Sequence, residues 1–233
     1  MKKVTVRIED GIARITVDDG KVNAMSTALM NEILAAFEET EQKATVVVLR
    51  GRAGIFSAGF DFATFKRGPE ATVEMLRTGA ALIGRLLAFP RPVLAVCTGH
   101  AYPMGAFLLL ASDVRYGLAG PYRLGLNETA IGLTLPQFAV ELARHRLSRQ
   151  GFARIASGAL FSPDEAAHLG YLDRVFVGDV LEVEVNAEAN RLRGLDPTAF
   201  AGTKARVNAQ AIAAVAAGAA EELTGAGRLP AGF

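Results

Sequence analysis

Apolar residues recur at strand spacing at Val4, Val6 and Ile8 and again at Ile12, Ile15 and Val17. This predicts two short strands, and the Asp10-Gly11 dipeptide between them favours the positive φ angles of a tight turn, so a β-hairpin opens the chain. From Ser26, a candidate N-cap, to about Gln42 the period becomes helical, with Leu29, Met30, Ile33, Leu34 and Phe37 on one face. Val46-Val47-Val48-Leu49 and Val93 to Val96 are unbroken apolar runs, which suit strands buried on both faces of a parallel sheet. Between them a helix is predicted from about Glu70 to Leu87, stopped by Pro90 and Pro92. Beyond Pro103 and Gly105, Ala106 to Ala111 reads as helix, and Val114-Arg115-Tyr116 and Tyr122-Arg123-Leu124 read as short strands. Helical patterns follow at Gln137 to Arg146, Arg149 to Ser157 and Asp164 to Leu169, the last begun by Ser162-Pro163-Asp164-Glu165 with Pro at the first helical position. A strand at Leu172 to Val177 precedes helices near Asp179 to Arg193 and Pro197 to Ala217. The alternation predicts an α/β fold, a βαβ core with an attached helical region. The final TGAGRLPAGF is expected to be loose from about residue 224.

Composition narrows the class. A chain of 233 residues, 51% hydrophobic and 21% charged, buries a sizeable core and is neither disordered nor a coiled coil. Twenty-five Lys and Arg against 24 Asp and Glu leave +1, with no long run of one sign, so no nucleic-acid partner is expected. One cysteine, Cys97, cannot form an intrachain disulfide, and with three scattered histidines it shows no metal-ligand spacing, so no metal is expected. The N-terminal alternation differs from the apolar core of a signal peptide. The longest apolar stretch, Val93 to Ala111, is broken by Gly99, His100, Pro103 and Gly105, and no membrane partner is expected. A cytoplasmic protein is the expectation.

Three segments exceed plain scaffold. Gly54-Ile55-Phe56-Ser57-Ala58-Gly59-Phe60-Asp61 puts small residues directly after a buried strand, where backbone N–H groups can meet a ligand; turn geometry alone would also explain its glycines. Gly99-His100-Ala101-Tyr102-Pro103-Met104-Gly105 again follows a strand and opens a helix, whose unpaired N–H groups favour an anionic oxygen. Two such loops on neighbouring parallel strands would converge where open α/β sheets bind ligands. The third, Leu124 to Gly132, is apolar with Asn127 and Glu128 in its middle. Asn127 could cap a turn with Glu128 in water; a Glu128 in a desolvated pocket would instead have a raised pKa and serve as a general base.

Taken together, these segments resemble the crotonase (enoyl-CoA hydratase/isomerase) family over roughly Val4 to Asn208. The resemblance implies a crotonase-like spiral core of ββα units over 1–190 and a C-terminal helical trimerisation region over 191–233, assembling as a homotrimer or hexamer. It implies an acyl-CoA substrate, coenzyme A entering as part of that substrate and no separate cofactor. It also implies a thioester oxygen held by two backbone N–H groups, those of Phe60 in FSAGFD and Met104 in GHAYPMG. Met104 and Pro103 stand where glycine is usual in the family, a departure that backbone donors tolerate. Hydratases of the family use two glutamates; here the first position holds Phe107, which cannot move a proton, and the second holds Glu128. The string GLNETAIGL is most similar to single-glutamate Δ3,Δ2-enoyl-CoA isomerases, in which one carboxylate moves a proton from C2 to C4 and Phe107 would fill the place of hydration water.

By the same resemblance Lys21, Ala24 and Ala58 lie along the CoA, Asp61 and Phe62 border the first donor, and Lys204 in GTKARVN reaches a phosphate. Lys21 as a solvated turn residue and Lys204 as a helix-surface lysine are the plainer readings. His100, His145 and His168 match no catalytic position, and Cys97 reads as a small buried strand residue. Hydration or another crotonase-type acyl-CoA reaction, and a non-catalytic CoA-binding protein, stay open as alternatives.

Overall fold

The computed structural model describes residues 2–223 and Gly232; the segment expected to be loose from about 224 otherwise lies outside the described residues. The hairpin forms as the alternation predicts: β1 (Val4–Glu9) pairs antiparallel with β2 (Ile12–Val17), and Asp10 and Gly11 take the positive φ angles of 49° and 77° that the turn demands. Helix α1 (Thr27–Glu41) starts where Ser26 accepts the Leu29 N–H. The apolar runs become β3 (Val46–Arg50) and, after β4 (Gly54–Ser57), α2 (Phe62–Phe65) and α3 (Pro69–Ala88), strand β5 (Val93–Cys97). Then follow β6 (Gly99–Ala101), α4 (Pro103–Ala111), β7 (Val114–Leu118), α5 (Gln137–Arg146), α6 (Arg149–Arg154), α7 (Pro163–Leu169), β8 (Arg174–Phe176), α8 (Val180–Arg193) and α9 (Pro197–Glu222).

The main sheet has the order β1-β2-β3-β5-β7-β8, parallel from β2 onward. Its two faces explain the unbroken apolar runs. Val46, Val48, Leu94 and Val96 pack toward Leu181, Val185, Ala189 and Leu192 of α8, whereas Val47, Leu49, Val93 and Ala95 join the larger core that includes α1, α3 and α4.

The structure revises two local expectations and adds one short helix. Gly54–Ser57 and Gly99–Ala101, read from their glycines as loops, are the parallel strands of a second, two-stranded sheet. Phe62–Phe65 is one helical turn, capped by Asp61. Tyr122-Arg123-Leu124 is not a strand: only Leu124 makes bridges, to Ala101 and to Phe161, because Pro121 and the glycines at 120 and 125 interrupt regular pairing.

Helix α9 is bound to the core by buried polar contacts. Asn208 donates to the Leu87 carbonyl at 2.9 Å and meets His145 Nε2 at 3.0 Å. Lys204 Nζ donates to Asp113 Oδ2 at 2.7 Å, and the same oxygen accepts the Val93 N–H at 2.8 Å. With only 4% of the lysine side chain exposed and 17% of the aspartate, this is a buried ion pair, and burial pulls the lysine pKa down against the attraction of Asp113. Arg146 completes the region by donating to the Leu110 and Ser112 carbonyls at the end of α4. Removing one partner of a buried pair strands the other. Lys204→Met is therefore expected to lower unfolding free energy by about 3–5 kcal/mol, with Asp113→Asn in the same chain recovering part of it; urea midpoints of the three variants check the coupling.

Candidate active site

The site lies where β4 and β6 end and α4 begins. Ser57, the last residue of β4, organises the junction. Its hydroxyl donates to the Asn23 carbonyl at 2.8 Å and accepts the Gly59 N–H at 3.1 Å, while its carbonyl accepts the Tyr102 N–H at 2.9 Å. Asn23 is fully buried, and its amide donates to the carbonyls of Val17 and Phe56. The following turn is held from the same side: Ala58 N–H donates to Val22 O, Met25 N–H to Gly59 O and Asp61 N–H to Met25 O. Val22, Asn23 and Met25 thus form the rail that holds the first motif, while Lys21 and Ala24, expected along the CoA, lie on the same segment without lining the cavity described below.

Two glycines make the approach possible. Gly59 has φ of 89°, and a Cβ there would stand 3.4 Å from Pro103 N and Cδ; one on Gly105 would come within 2.8 Å of Ser57 Cβ. The first turn of α4 can therefore lie directly against the end of β4. Among the described residues the N–H groups of Phe60 and Met104 have no acceptor. Met104 is the second residue of α4, where an N–H is orphaned by helix geometry and lies at the positive end of the dipole.

A cavity of about 170 Å³ opens beside them, lined by Ala58, Gly59, Phe60, Phe62, Phe65, Tyr102, Pro103, Asn127, Glu128, Ile131 and Leu133. Its size is comparable with an apolar cavity that admits benzene. Glu128 is 4% exposed, and both of its carboxylate oxygens lack a hydrogen-bond partner among the described residues. Desolvation pushes its pKa up from 4.5 to about 8, with the dipole of its own backbone amide acting in the opposite direction. Burial also raises the Tyr171 phenol, with the nearby charge of Glu128 adding to the shift. Asn127 caps nothing: the short turn Thr129–Ile131 has no side-chain cap bond.

The cavity thus brings Ala58, Phe60, Phe62 and Glu128 together, with Pro103 carrying the chain to Met104. Other expectations are corrected. Lys204 does not offer its ammonium to a phosphate, because Asp113 holds it inside the chain. Phe107 does not line the cavity; it is fully buried behind Phe60, 6.3 Å away between ring centroids, and meets Phe138 at 6.2 Å on its other side. Asp61 uses its carboxylate to cap α2, accepting from Ala63 N–H and Thr64 Oγ1. Cys97 is, as expected, a small buried residue of β5, and burial pushes its thiol up to about 12, which disfavours the reactive thiolate. Tyr102, Phe65, Ile131 and Leu133 were not anticipated. Tyr102 stands inside the second motif, and Ile131 and Leu133 flank Gly132 shortly after Glu128, but nothing in their residue types separates cavity wall from core. Among the described residues no His, Cys, Asp and Glu cluster could hold a metal, and no helix is long and apolar enough to cross a membrane.

An α/β spiral of this kind, with an apolar cavity, two unpaired backbone donors and one desolvated carboxyl group, has known counterparts. The family profile described as enoyl-CoA hydratase/isomerase matches residues 7–226, and the chain belongs to that family, with its crotonase-type fold. The structure of an enoyl-CoA hydratase/isomerase family protein from Pseudomonas syringae superposes with a TM-score of 0.93 at 34% identity, covering 95% of this chain and 96% of that one. An enoyl-CoA isomerase from Mycobacterium tuberculosis gives 0.88 at 36% identity, covering 93% and 96%. A probable enoyl-CoA hydratase of Bacillus subtilis is 29% identical over 198 residues, 82% of this chain and 75% of that protein.

The Glu128 geometry has a consequence for stability. A carboxyl group with a folded pKa of about 8 and an ordinary value of 4.5 holds its proton in the folded state while the unfolded chain releases it. Stability is then greatest below the ordinary value and falls as pH rises through about 8. Denaturant titrations at pH 5, 6.5 and 8 should show this decline, and Glu128→Gln should remove most of its slope.

Proposed function

We propose that the protein is a Δ3,Δ2-enoyl-CoA isomerase in which Glu128 is the single general base. The observation that carries this reading is the cavity's carboxyl inventory: among the described residues Glu128 is the one carboxylate that lines it, and it is desolvated and without a hydrogen-bond partner. Phe107, at the position where the resemblance puts a second glutamate, is an aromatic residue buried behind the cavity wall.

The chemistry follows from these groups. The N–H groups of Phe60 and Met104 hold the thioester oxygen, and each such donor lowers the barrier to enolate formation by on the order of 3 kcal/mol. The ionised Glu128 takes a proton from C2 of a 3-enoyl-CoA. The electron pair of that C–H bond delocalises over the thioester and the C3–C4 double bond as a dienolate. The same carboxyl returns the proton to C4, leaving the double bond between C2 and C3 and the carboxylate as it began. One base suffices because the proton is conserved. Hydration would add the need to hold and polarise a water molecule, for which the cavity has no second carboxylate. Relatives bearing the name hydratase make that the competing reading.

Three outcomes test the proposal. A medium-chain 3-enoyl-CoA should convert to the 2-enoyl isomer at unchanged mass, and a product heavier by one water from the 2-enoyl compound would establish hydration instead. Glu128→Gln should lower kcat by roughly 10²–10⁴-fold, the usual contribution of a positioned base. Because only the ionised form accepts a proton, log(kcat/KM) should climb with pH and level off above about 8. A flat profile between pH 6 and 9 would remove Glu128 from the role.

A further inference from the structure

Tyr102 occupies a part of the cavity wall that neither the donors nor the base requires. It lines the same cavity as Phe60 and Glu128 and lies two residues before the Met104 donor. Its backbone is held on both sides, by the N–H bond to Ser57 and by a carbonyl that accepts the Ala106 N–H at 3.0 Å. Its ring is held as well. The His100 imidazole lies nearly parallel to it, at 5.9 Å between centroids and 13° between planes, and His100 in turn meets the Tyr122 ring edge-on at 5.5 Å and 86°. The imidazole cannot turn freely, because Nδ1 accepts the Arg123 backbone N–H at 3.1 Å, which also places its proton on Nε2 in the neutral form. Other lining residues differ in kind. Phe62 and Ile131 are 55% and 45% exposed at the mouth, where the Phe62 ring meets Phe65 edge-on at 5.5 Å and 85°. The cavity therefore has a braced aromatic wall beside the reacting groups and an exposed apolar rim at its mouth.

We infer that Tyr102 is a specificity-determining residue, with His100 the positioning residue behind it, and that together they select acyl thioesters unbranched at the carbon next to the carbonyl. This rests on the acyl-thioester reading of the site given above. A methyl group on that carbon would be pressed toward a ring backed by His100, whereas a straight tail can leave over the exposed Phe62 and Ile131 at the mouth.

Saturated thioesters separate this from catalysis, since they bind without turnover. In calorimetric titrations of the full chain, butanoyl-CoA should bind at least ~10-fold more tightly than 2-methylbutanoyl-CoA, in line with what one methyl group decides in a shaped apolar pocket. Tyr102→Ala and His100→Ala should each bring the two to within about threefold, while His100→Phe, which keeps a ring to stack on Tyr102, should retain the preference. Equal binding by the natural chain, or an unchanged ratio in Tyr102→Ala, would overturn the role of the wall. A relaxed Tyr102→Ala beside an unrelaxed His100→Ala would overturn the bracing role. Failure of both thioesters to bind would sink this inference and the acyl-thioester reading together. A retained preference in a protein that does not isomerise would support the wall and leave only the isomerase proposal overturned.

Discussion

The chemistry of this molecule depends on one backbone meeting another. The first turn of α4 rests against the end of β4 because Gly59 and Gly105 present no Cβ at the contact, and Ser57 bonds to both sides of the junction. A side chain at Gly105 would push α4 away from Ser57, and one at Gly59 would be strained by its positive φ, so either change would disturb the junction that sets the N–H groups of Phe60 and Met104. The arrangement places the requirement on what is missing from the side chains. This is why Met104 can stand in a donor position and why its own large side chain, fully buried, goes into the core.

The second constraint is electrostatic. Glu128 is buried without a partner, an arrangement that costs free energy and that folding alone does not explain. The surrounding Phe, Ile, Leu and Pro side chains keep water away from the carboxyl group, so it holds a proton at neutral pH and becomes a stronger base once ionised. The same dryness strengthens whatever the two backbone donors do for a developing negative charge. The carboxyl group thus sits in a low-dielectric space built largely from residues that have no polar chemistry of their own.

Much of this was legible in the residues. Alternation, helical period and apolar runs identified the hairpin, the buried parallel strands and the principal helices, because each reflects which face meets the core. The short β4 and β6 escaped, since their pairing is carried by backbone bonds between glycine-rich segments and leaves no side-chain period. At the site, Glu128 stood out as an isolated carboxylate in an apolar run, and the resemblance of the two glycine-containing motifs pointed to Phe60 and Met104, whose N–H groups have no acceptor among the described residues. Lys204 and Tyr102 show the limit. A lysine in a helix looks the same whether it faces water or, as here, a buried aspartate ninety-one positions earlier, and a tyrosine among apolar residues does not reveal whether it lines a cavity.

The partnership of Lys204 with Asp113 also bears on the order in which the molecule can become functional as it is synthesised. Asp113 closes the turn that follows α4, the helix that contains Met104, and although Arg146 of α5 also feels its charge, the ammonium that pairs with it inside the chain arrives only with α9. Every described residue that lines the cavity has been translated by position 133, yet the ion pair that buries Asp113 awaits a lysine seventy-one residues further on. A nascent chain therefore carries a complete set of reactive groups well before it has the means to hold them still, and maturation of the site belongs to the last stage of folding.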